Sequence, residues 1–199
     1  MIKLYDSALS GNCHKVRMML GFLNLAYEKI DMNWARGDQR RDDYRAINPR
    51  AQLPTIDDDG MIVWDSQAIL VYLARTYGNE SWCPTEPKAL TLVMQFLMLA
   101  NEEISALAWA RVTVLMNQSR DRLNELQSKG RAGLAVLEDR LKNHSWVALD
   151  HVTIADIACF PYVGMAEQGE VTLDEFPSVK SWVNRMKSLP NYTAMPGLD

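Results

Sequence analysis

Residues 48–77 read NPRAQLPTIDDDGMIVWDSQAILVYLARTY, and this stretch decides the fold. Asn48 before Pro49 marks a helix end or a turn, because the residue preceding a proline is pushed out of the helical region. PTIDDDGMIVW then divides into two strand pieces around Asp59 and Gly60, an Asp-Gly pair of the kind that turns a hairpin. SQAILVYLARTY follows with Ile69, Leu70, Leu73 and Tyr77 at helical spacing, which predicts an amphipathic helix with Ser66 as its N-cap. A hairpin followed by a capped helix is one half of a small α/β layer.

The other half lies toward the N-terminus. IKLY at 2–5 reads as a strand, 12–23 as a helix with Val16, Met19, Leu20 and Leu23 on one face, and YEKID at 27–31 as a second strand. A polar stretch carrying a further helix leads on to INPR. The order over 1–77 is therefore strand, helix, strand, helix, strand, hairpin strand, helix. At 78–87 the sequence changes to GNESWCPTEP, rich in turn formers, which reads as a linker. Beyond it, helices are expected over 89–116, 120–143, 153 to about 169, and 179–189, so 88–199 is an all-helical domain. In HVTIADIACFPYV, Thr153 and Asp156 fit a capping box with Val152 stapled against Ile157, and Pro161 should kink the helix or free a carbonyl.

Composition narrows the function. The 199 residues are 48% hydrophobic and 23% charged, ordinary proportions with enough length for one large or two small cores. A formal net charge of -4 and a pI of about 5.4 give no source for the counterion release that drives nucleic-acid binding, and nothing draws the chain to an acidic membrane. The chain opens on its first strand with no leader pattern, and no apolar run approaches the roughly 18 residues of a membrane span, so a cytoplasmic location is expected. Cys13, Cys83 and Cys159 fit neither a disulfide framework nor a zinc pattern, and His14, His144 and His151 form no metal motif. No metal is expected.

The segment with chemistry in it is ALSGNCHKVRMML at 8–20, which leaves the first strand and opens the first helix. A helix start presents unpaired N–H groups and the positive end of the macrodipole, so an anion is welcome there. A thiolate at that place would have its pKa lowered, and a hydroxyl would steady it. Ser10, Asn12 and Cys13 are the candidate residues.

Four segments in order, LYDSALSGNCHKV at 4–16, NPRAQLPTI at 48–56, DSQAILVYLARTY at 65–77 and TIADIACFPYV at 153–163, resemble the glutathione transferase superfamily over nearly the whole chain. The resemblance implies a thioredoxin-like, glutathione-binding domain over 1–77, followed by a helical domain that supplies the acceptor pocket and dimer contacts. It further implies a homodimeric detoxification enzyme of a bacterial, serine-type class, theta- or nu-like. Glutathione would be the co-substrate. Leu53, before a cis Pro54, would pair its backbone with the cysteinyl part. Asp65 and Ser66 would take the γ-glutamyl end, Gln52 would face the backbone or glycyl end, and Gln39 with Arg40 would meet the glycyl carboxylate. The charged run RGDQRRDDYR around Gln39 and Arg40 reads equally well as a solvated surface.

Ser10 matches the serine whose hydroxyl donates to the thiolate in serine-type classes. Tyr5 falls where other classes keep a phenol, and it reads equally as a packed strand residue. Cys13 stands at the inner position of the thioredoxin Cys-x-x-Cys, and serine at the outer position removes any dithiol cycle. Asn12 in NCHK resembles the asparagine of the NGHK found in nu-class relatives that act on disulfides, although Cys13 replaces the Gly. Leu9, Ala108, Trp109 and Val112 are expected to border the acceptor pocket. The implied activity is transfer of glutathione to small hydrophobic electrophiles. The alternatives are a disulfide or peroxide reductase on the same site, or a non-catalytic protein-interaction module.

Overall fold

The computed structural model describes residues 1–198. The first strand, β1 (Ile2–Asp6), turns Ile2, Leu4 and Asp6 inward and leaves Lys3 and Tyr5 half-buried, the period-two alternation of a strand in a sheet. It pairs in parallel with β2 (Tyr27–Asp31), Ile2 opposite Tyr27. A parallel pair needs a crossover, and α1 (Gly11–Phe22) provides it. On the other edge β1 runs antiparallel to β3 (Thr55–Asp58), which folds back as β4 (Met61–Trp64); the sheet order is β2-β1-β3-β4. Asp59 and Gly60 turn the hairpin with φ of 49° and 96°, the positive pair that a two-residue turn requires. Between β2 and β3 lie a 3-10 turn, Asp38–Arg40, and the short α2 (Asp42–Ile47).

The helix α3 (Ser66–Thr76) buries Ile69, Leu70, Leu73 and Ala74. Two sequence expectations fail here. Asp65, not Ser66, is the N-cap, and Tyr77 is 42% exposed at the C-cap, its hydroxyl donating to Asp58 Oδ2 at 2.5 Å.

Five helices follow: α4 (Pro87–Glu102), α5 (Ser105–Leu115), α6 (Arg120–Leu141), α7 (Ile154–Gly164) and α8 (Pro177–Lys187). The single helix expected over 89–116 is two. Both Glu103 N and Ile104 N reach back to Leu99 O, which breaks the ladder. The cause is tertiary: α6 comes so close that a Cβ on Gly133 would lie 2.8 Å from Glu103 Cβ, and one on Gly130 would lie 2.4 Å from Leu107 Cδ2. Contrary to expectation, Pro87–Leu115 is long and apolar enough to cross a bilayer, although here it bends and packs on α6 and α7. The helix expected from 153 to about 169 is α7 followed by a separate 3-10 turn, Ala166–Gly169.

One contiguous core joins the two halves, running from Leu4 and Ile56 through Met19, Leu20 and Leu70 to Phe160 and Trp182. The linker is packed into it: Trp82 stacks on Phe22 at 5.5 Å, Cys83 is buried, and Trp82 O accepts from Ile154 N at the start of α7.

Candidate active site

Ser10 ends the loop after β1 and caps α1, its Oγ accepting from Cys13 N at 3.3 Å. Its hydroxyl proton can turn either to the Cys13 sulfur or to a bound ligand. The loop is braced from beneath by Arg17, which pairs with the buried Asp6 and donates to Ala8 O at 3.1 Å. Gly11 follows because nothing larger fits: a Cβ there would lie 2.4 Å from Cε1 of Tyr162 on α7.

The next two residues part company. Asn12 is half-buried, and its Oδ1 accepts from Ser66 Oγ at 3.0 Å. Cys13 points into the core with no exposure, and burial pushes its thiol up to about 12, so it stays protonated and does not reach the cleft. Tyr5 packs edge-on against Tyr44, ring centroids 5.4 Å apart, as a strand residue does.

The Asn12–Ser66 bond joins the start of α1 to the start of α3. At that second start Asp65 has φ 75° and ψ 125°, a positive-φ conformation outside the left-handed helical well, of the sparsely populated kind that costs a non-glycine residue about 1–3 kcal/mol and clusters at functional sites. Its Oδ1 accepts from Gln67 N at 3.0 Å and its Oδ2 from Arg50 Nη1 at 3.1 Å.

The Leu53–Pro54 bond is cis. Its flanks are fixed by a polar knot that the sequence did not announce. Tyr44 Oη donates to Gln52 O at 2.6 Å and bonds Thr55 Oγ1 at 2.7 Å, while Asn48 Nδ2 donates to the same two oxygens at 2.9 and 3.0 Å. Pro54 is buried, Leu53 half-buried and Gln52 exposed. Gln39 and Arg40 share the 3-10 turn but differ: Arg40 is exposed, whereas Gln39 is buried with Oε1 unpartnered among the described residues. Asp38 shapes that turn, and the Arg36 guanidinium beside it, helped by Asn33 N, holds its carboxyl down to about 2.

Residues 4–81 match the family described as Glutathione S-transferase, N-terminal domain, and residues 86–190 match Glutathione S-transferase, C-terminal domain. The chain belongs to the glutathione S-transferase family. A crystal structure of glutathione S-transferase from Pseudomonas fluorescens has a TM-score of 0.92 at 30% identity, covering 100% of this chain and 99% of that one. Glutathione S-transferase D7 of Anopheles gambiae is 29% identical over 92% of this chain and 85% of its own length. The disulfide-bond oxidoreductase YfcG of Escherichia coli (strain K12) is 29% identical over 96% of this chain and 92% of its own.

In this glutathione S-transferase the helical domain meets the Ser10 loop through α5. Arg111 Nη1 donates to Leu9 O at 3.1 Å, and Leu9 itself is 58% exposed. Ala108, about 60° around α5 from Arg111, and Val112, about 100° around, are both half-buried. Trp109 lies roughly 160° around the helix from Arg111 and is 50% exposed. Arg111 was missed because no periodicity marks a cation whose partner is 102 residues away. Two converging helix starts, with a serine hydroxyl at one and an acid at the other, suit a ligand bearing both anionic and cationic ends.

Proposed function

We propose that the cleft binds glutathione and activates its thiol for attack on small hydrophobic electrophiles. The observation that carries this reading is the meeting of the two helix starts at the Asn12–Ser66 bond, 3.0 Å long. The γ-glutamyl carboxylate sits at Ser66 and the first turn of α3, and the amino group at Asp65. The cysteinyl backbone lies along Leu53, and the glycyl end lies toward Gln52, Gln39 and Arg40. The thiol loses its proton to solvent. Ser10 then donates its hydroxyl to the thiolate, aided by the α1 dipole, and the sulfur forms a bond to the acceptor as the leaving group departs.

Similarity to a disulfide-bond oxidoreductase, with Asn12 beside Ser10, favours disulfide reduction on the same site as a second reading. Cys13 is buried, so both electrons come from glutathione: one molecule attacks the disulfide, expelling one half as a thiol and forming a mixed disulfide with the other, and a second glutathione releases that other half as a thiol as oxidised glutathione forms.

A second copy of the chain is proposed to cover the groove between α3 and α4, about 290 Å³, lined by Ala68, Val71, Met94 and Met98 with Asp65, Gln67 and Asn101 at its polar side. The three free, buried cysteines suit a reducing, cytoplasmic setting.

Calorimetry with glutathione, followed by titration of the thiolate absorbance in the complex, tests the reading. Binding is expected, with a thiol pKa below the ordinary value of about 8.5, and Ser10→Ala should restore that ordinary value. Absence of binding would leave the non-catalytic alternative. The ratio of disulfide reduction to conjugation separates the two activities.

A further inference from the structure

We propose that Arg111 is a positioning residue that sets the direction of the Ser10 hydroxyl from the helical domain. The inference rests on the reading of the cleft as a glutathione site.

The Leu9–Ser10 peptide is gripped on both edges. Its carbonyl oxygen, on Leu9, accepts from Arg111 Nη1 at 3.1 Å, and its N–H, on Ser10, donates to Ser7 O at 2.9 Å. A peptide unit is planar, so fixing both edges fixes the plane and with it the bond from which the Ser10 side chain leaves. The remaining polar atoms of Ser10 are held by α1: its carbonyl accepts from His14 N at 2.9 Å and its Oγ from Cys13 N at 3.3 Å. What these four bonds leave able to turn is the hydroxyl proton, which a ligand thiolate would draw from the neighbouring Cys13 sulfur.

Arg111 is itself oriented. Its Nε donates to Gln168 Oε1 at 2.5 Å, in the 3-10 turn Ala166–Gly169. That turn lies flat on α5 because Gly169 has no side chain; a Cβ there would be 2.9 Å from Arg111 N. From α6, Gln127 Nε2 donates to Gly169 O at 2.9 Å, and the C-terminal segment closes over Gln168 at Gly197. The planar guanidinium thus spans two anchors at a fixed angle, which a flexible ammonium cannot do. The loop bearing Ser10 belongs to one half of the chain and its bracket to the other, so the serine is aligned only when the halves are docked.

The test uses the full chain at one pH, with glutathione saturating for the absorbance and varied for the kinetics. It reads the thiolate absorbance of the complex, kcat with a conjugation substrate, and KM for glutathione, in wild type, Arg111→Gln and Arg111→Lys. Misplacing the hydroxyl by about 1 Å should lower the thiolate band and drop kcat about tenfold in Arg111→Gln, with KM for glutathione within about twofold. Arg111→Lys, which reaches Leu9 O or Gln168 but not both, should recover part of the loss. It also carries the test should Arg111→Gln fail to fold. A thiolate band and kcat unchanged in the variants overturn the proposal. So does a rise in KM alone, which would mark Arg111 as a simple binding group. A wild-type complex lacking the band removes the glutathione reading beneath it, a different result from a band that survives loss of Arg111.

Discussion

Ser66 Oγ donates to Asn12 Oδ1 over 3.0 Å, joining the starts of two helices that lie 54 residues apart in the chain. Each helix start presents unpaired N–H groups, and the bond fixes how they face one another. On binding, the γ-glutamyl carboxylate takes over the Ser66 proton that Asn12 Oδ1 now accepts, so Ser66→Ala removes both that contact and the anchor of the Asn12 amide. A hydrogen bond to a charged group is worth about 1.5–3 kcal/mol, so KM for glutathione should rise about tenfold or more while kcat falls less. Steady-state rates at varied glutathione decide; an unchanged KM would show that the γ-glutamyl end binds elsewhere.

A second expectation concerns the wall opposite. Tyr44 Oη holds Gln52 O and Thr55 Oγ1, one on each side of Leu53–Pro54. Burial pushes this phenol up to about 12, so it stays a donor throughout the working range. Tyr44→Phe keeps the ring packed and removes only the oxygen, leaving Asn48 Nδ2 to serve both acceptors. The loss should be about 1–3 kcal/mol in urea unfolding, with weaker glutathione binding because the Leu53 backbone is less firmly presented. Stability lost with no change in binding would confine the knot to a folding role.

Where the sequence was legible, a local rule carried the signal. Asp59–Gly60 states its hairpin because only a pair tolerant of positive φ closes so tight a turn. Thr153 and Asp156 state their capping box because three residues suffice to form it. Asp65 and Ser66 show where such rules stop. Both residue types are good caps, and the choice is made by an unusual φ at Asp65 that no composition encodes. The break at Glu103 has no glycine or proline at the spot; it answers to Gly130 and Gly133 on a different helix. The knot around Tyr44 and the reach of Arg111 to Leu9 are likewise contacts between distant segments, visible only once the chain has folded.

Asp156 does more than close its capping box. With no exposed surface, its carboxylate accepts from Thr153 N at 2.9 Å, Val147 N at 3.1 Å and Trp182 Nε1 at 3.0 Å, tying α7 to the preceding loop and to α8. Asp156→Ala abandons these three buried N–H donors and the Thr153 hydroxyl, which donates at 3.3 Å, and should cost about 3 kcal/mol or more by chemical denaturation. Asp156→Asn can serve only part of that set and should fall between. A loss below about 1 kcal/mol in the alanine variant, the scale of a lone cap, would mean the links to Val147 and Trp182 contribute little.

Acid should weaken the site through His14. This imidazole is fully buried in α1 between the rings of Phe160 and Tyr192, and neither ring nitrogen has a hydrogen-bond partner among the described residues. Burial, with the nearby Arg17 charge adding to it, pushes its pKa from 6.5 down to about 3. Below 6.5 the unfolded chain takes up a proton here that the folded chain refuses until about 3, so the native state loses stability as pH falls through that window. The slope contributed is at most about 1.4 kcal/mol per pH unit, or about 2 kcal/mol between neutrality and pH 5. Urea unfolding at several pH values should show it, and His14→Leu should flatten the curve by that amount whatever its own stability. If the acid slope survives in the variant, the proton is taken up elsewhere. If it disappears, the proton is taken up at His14, in the helix that Ser10 caps.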